Sequence, residues 1–328
     1  HNGKLQRSRT EVGDLIMNIV GPPLGKLAII PTTLPQANFN QAAVLIRPYK
    51  FKEVLVSYLK VYLEEMSEIN SIATRGSAGQ VNISLTQSQN MRIPIPPLNE
   101  VRRIIEEVSK YDILIDSLKQ NITDIQNLIA YTKSKILDLA IHGKLVPQDP
   151  NDEPAIELLK RINPDFTPCD NGHYTQLPEG WAICKMKQIT SITNGKSQKN
   201  VETLNGIYPI YGSGGVIGRA NQYLCIAGST IIGRKGTINN PIFVEEHFWN
   251  VDTAFGLKAN DAILDKYLYY FCLSFDFSKL VKSTAMPSLT KTSIGNVLIP
   301  IPPYKEQERI VAKIDMVLDT MNEILRAV

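Results

Sequence analysis

The longest regular pattern in the chain runs from Val101 to Leu139. With Val101 as position a of a heptad, a holds Val101, Val108, Ile115, Ile122, Ile129 and Ile136. Position d holds Ile104, Tyr111, Leu118, Ile125, Thr132 and Leu139, so only Thr132 breaks the apolar stripe. Spacing of 3.5 residues sustained this far predicts a coiled-coil helix of about 40 residues, spanning ~60 Å. A second stripe, Ile310, Ile314, Val317, Met321, Ile324 and Val328, predicts another helix at the C-terminal end. Each stripe needs a partner, and packing the two helices against each other supplies one.

Outside these helices the apolar segments are short, β-branched and punctuated by glycine, as in ITSITNGKS, IYPIYGSGG and STIIGRKGT, which predicts β-rich domains. The pattern is also repeated. NMRIPIPPLNEVRRIIEEV occupies residues 90–108, and NVLIPIPPYKEQERIVAKI occupies 296–314. Ile-Pro-Ile-Pro-Pro cannot be helical, because each proline removes a donor and restricts the residue before it. It predicts an extended edge, with the last proline at the start of the following helix. Upstream of each copy the order is the same: a Gly-led strand, a Gly turn with a basic residue, a second strand, a Tyr-rich amphipathic stretch and a small-polar loop. The Tyr-rich stretches are VSYLKVYLEEM and DKYLYYFCLSF, and their tyrosines read as core packing.

Five segments follow: residues 1–97 as a partial first β-rich domain, 98–142 as the long helix, 143–177 as a linker with the short helix AIELLKRI, 178–303 as a second β-rich domain, and 304–328 as the distal helix. The first domain is shorter. By alignment Gly13-Asp14 matches Gly228-Ser229, and the first half has no counterpart of ITSITNGKS through YGSGG. This suggests a fragment or a truncated form.

The chain has 328 residues, 43 % of them hydrophobic, enough for two domains with separate cores. A formal charge of +3 permits a polyanionic partner without requiring one. No apolar run is long enough to span a membrane, and HNGKLQRSRT has no signal-peptide core. Cys169, Cys184, Cys225 and Cys272 form no CxxC pair and read as reduced thiols, which points to a cytoplasmic protein without a zinc site.

Catalytic motifs fail on inspection. Gly195-Lys196-Ser197 would complete a phosphate loop only with glycine at position 190, which is threonine. Gly212-Ser213-Gly214-Gly215 has Ile217 where a dinucleotide fingerprint needs its third glycine. Ile301-Pro302-Pro303-Tyr304 lacks the asparagine of the Asn-Pro-Pro-Tyr motif of adenine methyltransferases. The chain reads as one that binds and does not catalyse.

Three phrases carry a resemblance. IPIPPYKEQERIVAKID is similar to the start of a distal conserved helix, ILDLAIHGKLVPQDPNDEPAIELLKRI to a central conserved region, and LPEGWAICKMKQI to the opening of a target-recognition domain. Together they resemble the specificity subunit of a type I restriction-modification system, over most of residues 12–324. The resemblance implies an α+β protein of two β-rich target-recognition domains, each followed by a long α-helix, with the helices packed as an antiparallel coiled coil. It implies that each domain reads one half of a split target in double-stranded DNA and that the helices set the gap. It also implies that two methyltransferase subunits dock on the helices and carry the S-adenosylmethionine chemistry, with no cofactor in this chain. A restriction/translocase subunit joins such complexes. The shortened first domain raises an alternative: a half-specificity subunit, with one working domain, that self-associates or pairs with another chain.

Basic and polar residues on Gly-flanked loops are the DNA-binding candidates. They are Lys196, Ser197 and Lys199; Tyr211, Ser213, Gly214 and Arg219; Arg234, Lys235 and Asn239; and Thr284, Ser288 and Lys291. The first half offers Lys26, Arg75, Ser77, Gln80 and Asn82. Arginine and amide side chains can read guanine and adenine bidentately, while lysine and serine more often hold phosphate. Arg102-Arg103 reads as a solvated or partner-facing surface.

Overall fold

The structure, a computed structural model, describes residues 6–21, 24–65, 82–170, 174, 176–281 and 288–327. The chain forms two compact units, His1–Asn121 and Ile122–Val328, and the boundary falls inside the long helix.

In unit 1, Leu15–Asn18 (β1), Leu27–Ile29 (β2) and Ala43–Ile46 (β3) form an antiparallel sheet in the order β2-β1-β3. Alternate residues on a strand face the same side. Leu15, Met17, Leu27 and Val44 therefore pack together against Val56, Leu59 and Leu63 of Lys52–Glu64 (α1). Ile83 closes this core ahead of Leu85–Gln89 (α2), whose cap Ser84 forms a capping box with Gln87. The first Ile-Pro-Ile-Pro-Pro is neither helix nor strand and joins no sheet among the described residues, so the expected sheet edge is not formed in this copy. It leads into Leu98–Ile141 (α3), where the Pro97 carbonyl accepts from the amides of Glu100 (2.8 Å) and Val101 (3.0 Å).

Unit 2 contains Ala155–Ile162 (α4), Ala182–Lys185 (β4), Met186–Ile189 (α5), Thr190–Asn194 (β5), Tyr208–Gly212 (β6), Gly215–Ala220 (β7) and Ser229–Gly233 (β8). Ile242–Val244 (β9), Trp249–Asn250 (β10), Ala254–Ala259 (β11), Asp265–Ser274 (α6), Lys291–Gly295 (α7), Leu298–Ile301 (β12) and Tyr304–Ala327 (α8) follow. The sheets run β5-β11-β8-β9, β10-β6-β7 and β12-β4. The second Ile-Pro-Ile-Pro-Pro lies on β12, a two-stranded edge with Pro300 opposite Ile183, as the proline pattern requires. The expected two β-rich units, each leading into a long helix, are present, and the fold is α+β.

The repeat is structural as well as textual. β9-β8-β11 has the order and directions of β2-β1-β3. Gly13 and Gly228 precede matching strands with φ of 77° and 76°. The bridge Val20–Asn82 matches Lys235–Ser288. Both tyrosine helices reach the proline segment in the same way. The Tyr58 hydroxyl donates to the Pro94 carbonyl at 2.7 Å, and Tyr267 to Pro300 at 2.9 Å. No described residues of unit 1 correspond to β4 or to the β5–β7 region.

One joint closes unit 2. Glu306, near the start of α8, is completely buried, and its carboxylate accepts from Gln148 Nε2 (2.8 Å) and Trp181 Nε1 (3.0 Å). Its neighbour Gln307 accepts from the Leu264 amide at 2.8 Å and donates to the Ala262 and Pro302 carbonyls, each at 3.1 Å. Arg309 Nη2 donates to Asp152 at 2.6 Å. Leu137 and Ala140 of α3 share this unit's core with Ile310 and Ile314 of α8 and with Tyr267, Leu268 and Phe271 of α6. The heptad stripe of α3 is not buried throughout. Val101 and Ile129 are buried, whereas Tyr111, Ile115 and Leu118 are 58 %, 46 % and 53 % exposed.

In unit 1, Asp14 is fully buried and held by Arg47 Nε (2.8 Å), Lys52 Nζ (2.7 Å) and the Glu11 amide (2.6 Å). Burial alone would raise its pKa, but the hydrogen bonds from Arg47, Lys52 and Glu11 outweigh it and hold the carboxyl well below the usual range. A depressed folded-state pKa gives stability that is present above the unfolded value, about 3.9, and lost as pH falls below it. Urea titrations of wild type at pH 7 and pH 3 should therefore show a loss that is much smaller in Asp14→Asn, which is already destabilised at pH 7. A second expectation concerns Tyr267→Phe, which strands the Pro300 carbonyl in the core. It should cost about 1–3 kcal/mol and lower Tm by roughly 2–4 °C for each kcal/mol, read by calorimetry.

Candidate nucleic-acid interface

Four loops of unit 2 meet at one end of its sheets: the end of β5, the β6–β7 tip, the turn after β8, and the turn leading into β11. The backbone makes them converge. After β5, the Gly195 amide donates to the Ala254 carbonyl at 3.1 Å and the Lys196 amide to the Asn250 carbonyl at 2.9 Å. Trp249 Nε1 donates to the Lys196 carbonyl at 3.0 Å. Only glycine fits at 195, because an added Cβ would lie 1.8 Å from the Val251 carbonyl oxygen. At the hairpin tip, Ser213 Cβ lies 3.1 Å from where a Gly233 Cβ would stand, so the tip rests against the 233–237 turn. The Arg234 amide donates to the Thr253 carbonyl at 2.7 Å, and the Leu289 amide donates to the Arg234 carbonyl at 2.9 Å.

The structure thus brings Lys196, Ser213, Arg234, Lys235 and Ser288 into one cluster. Ser197 and Lys199 are exposed on the first loop, Gly214 on the hairpin tip, and Lys291 just beyond the Leu289 clamp. Exposed charges on these loops are Lys196, Lys199, Lys235 and Lys291 against the carboxylates Asp252 and Glu202, so cations are in excess at this end of the sheets. The Arg234 guanidinium lies over the Phe255 ring, 5.9 Å from its centroid. Its Nε is buried without a hydrogen-bond partner among the described residues. The sequence reading missed Thr253 and Phe255, which seat this arginine. One is in a plain turn and the other reads as an ordinary core residue.

Other candidates lie elsewhere. Arg219 donates to the Ile207 carbonyl at 3.2 Å, toward the far end of the hairpin from Ser213. Asn239 uses both amide atoms internally, donating to Asp276 and accepting from the Phe277 amide. Tyr211 packs edge-on against Phe248, with ring centroids 5.5 Å apart, and burial raises its pKa. Tyr267 and Tyr270 are core residues, matching their expected role, and Arg102 and Arg103 are exposed.

In unit 1, Lys26 is exposed before β2 and Asn82 bridges Val20. Arg75, Ser77, Gln80 and Thr284 lie outside the described residues. Among the described residues no group of three or more His, Cys, Asp or Glu could hold a metal, and no helix is long and apolar enough to cross a membrane. The four cysteines are free. Burial pushes the Cys184 and Cys272 thiols up, and that of Cys225 to about 12, so these three are unreactive.

A family model described as type I restriction modification DNA specificity domain matches residues 9–127 and 178–328. The chain is similar to the EcoAI specificity subunit of a type I restriction enzyme from Escherichia coli, 25 % identical over 76 % of this chain and 57 % of that protein. It is also 22 % identical to the putative MjaX specificity subunit of Methanocaldococcus jannaschii, over 98 % of this chain and 75 % of that one. Two solved structures share the fold. A chain from a study of complex assembly and conformational transition of a type I R-M system has TM-score 0.67 and 20 % identity, covering 97 % of this chain and 77 % of its own. The HsdS subunit from Thermoanaerobacter tengcongensis has TM-score 0.62 and 17 % identity, covering 99 % and 78 %. The chain spans 57 % of the length of the EcoAI specificity subunit.

Gly195→Ala tests whether the loops depend on this close approach. The Cβ collides with backbone, which a side-chain shift cannot relieve. A loss of about 2 kcal/mol or more is expected, read as a lowered Tm.

Proposed function

Because the chain belongs to the type I restriction modification DNA specificity family, we propose that it is the DNA-reading, non-catalytic subunit of a type I restriction-modification complex. In this reading the loop cluster of unit 2 binds one half-site in double-stranded DNA, and unit 1 serves the other half. The observation that carries it is the convergence of four separate loops into one cationic surface around Arg234. Short loops held at one end of a sheet can change in sequence without disturbing the core behind them.

The partners in this proposal are methyltransferase subunits, two of them on family grounds, which carry the S-adenosylmethionine chemistry, and a restriction subunit. Their docking surface is the exposed stripe Tyr111, Leu114, Ile115 and Leu118 on α3, which has the apolar character of a helix-pairing seam. Antiparallel packing of the two long helices belongs to the same reading. The stripe also supports a second reading, a half-specificity subunit that associates with another copy. Sedimentation equilibrium separates the two, since a dimer lost on Ile115→Lys would favour the second.

Lys196→Ala and Lys235→Ala are expected to weaken binding to all duplexes alike. Each should reduce the slope of log K against log salt by about 1 if it removes one phosphate contact. Anisotropy titrations with the assembled methyltransferase complex provide the measurement. Unchanged slopes in both variants would place DNA elsewhere.

A further inference from the structure

The internal repeat supplies a comparison at Arg234 itself. Its counterpart in unit 1 is Ile19, and the backbone is clamped identically at both. The Ile19 amide donates to the Ala42 carbonyl at 2.8 Å, as Arg234 does to Thr253 at 2.7 Å. The Ile83 amide donates to the Ile19 carbonyl at 2.9 Å, as Leu289 does to Arg234 at 2.9 Å. Yet Ile19 is 7 % exposed and belongs to the unit 1 core. The scaffold is therefore complete with an apolar side chain at this place. Unit 2 instead holds an arginine whose Nε is buried with no hydrogen-bond partner among the described residues.

An unpaired buried donor destabilises a fold, so this residue is not there for stability. Its backbone is held from both sides, its guanidinium rests on Phe255, and its side chain has no ion-pair partner among the described residues. A planar fork of donors fixed in this way suits one target on DNA better than any other, the paired acceptors O6 and N7 of guanine. A phosphate contact would need only a charge, which a mobile lysine such as the neighbouring Lys235 supplies.

We propose that Arg234 is the specificity-determining residue of unit 2, reading a guanine, and that unit 1 reads its half-site without an equivalent arginine. This rests on the DNA-reading function proposed above. The two halves of the target are then read by different chemistry despite a common scaffold.

The test is the methylation pattern produced by the full chain co-expressed with its methyltransferase subunits in a host lacking adenine methylation, for wild type, Arg234→Lys and Arg234→Met. Wild type is expected to mark a defined site. In both variants, preference for one G·C pair in one half-site should fall about 10- to 100-fold, with the other half unchanged. Arg234→Met should also keep or raise Tm, because the unit 1 counterpart shows the position accepts an apolar side chain. Retention of the full motif in Arg234→Lys would make the residue a phosphate clamp and overturn the inference while leaving DNA reading intact. A lowered Tm in Arg234→Met with an unchanged motif would make it structural, with the same consequence. If wild type marks no defined site, the DNA-reading function falls, and this inference with it.

Discussion

A carboxylate with no exposed surface governs how the second half of the chain closes. Transferring a charge out of water costs several kcal/mol unless hydrogen bonds replace the lost hydration. Glu306 is compensated by two neutral donors, the amide of Gln148 and the indole of Trp181. Those donors come from different segments, the linker after α3 and the approach to β4. Neither segment can move without exposing a deficit at the other, so the end of α3, the linker, the β-rich part and α8 become one object. The matching residue in the first half, Glu100, is exposed. It needs no such partners, and the described residues contain no counterpart of Trp181.

The same logic separates scaffold from site. Close-packed positions repeat their burial between the halves: Ile83 and Leu289 are both 1 % exposed, and the apolar Val101 and the hydrogen-bonded Gln307 are both fully buried. The capping boxes at Ser84 and Thr290 repeat as well. Charged groups are redistributed. Just after β3, Arg47 pairs with Asp14 in unit 1, whereas Lys258 at the matching place on β11 pairs with Asp265 at the start of α6. Packing tolerates few alternatives at fixed volume, while an ion pair only needs some opposite charge within reach. At Arg234 against Ile19 the two halves differ with no compensating partner among the described residues, and the specificity role proposed for Arg234 rests on that mismatch.

Much of the architecture was legible before any coordinates. Prolines cannot donate, so both Ile-Pro-Ile-Pro-Pro runs had to be extended and to stop where a helix begins. The heptad stripe predicted the long helix, observed at Leu98–Ile141, and the run AIELLKRI predicted the short one, observed at Ala155–Ile162. The repeat predicted two related units. These features are local, set by period and by backbone chemistry within a few residues. The stripe did not reveal which of its residues stay uncovered, because periodicity records a need for a partner and not its presence.

The candidate interface was legible only as a set of loops. Glycine-flanked polar and basic residues at 196, 213 and 234–235 could be named from the sequence, but so could Arg219 and Asn239, which face other tasks. What separates them is which carbonyl or carboxylate each side chain meets, and that depends on strand order: β11 lies between β5 and β8, and so brings Thr253 and Phe255 beside Arg234. The sequence by itself determined the long helix, the short helix after the linker and the duplication, since these follow from short-range sterics and hydrophobic period. Only the tertiary structure decided which loops share a surface and which arginine buries an Nε with no partner among the described residues, since both follow from contacts between residues far apart in the chain.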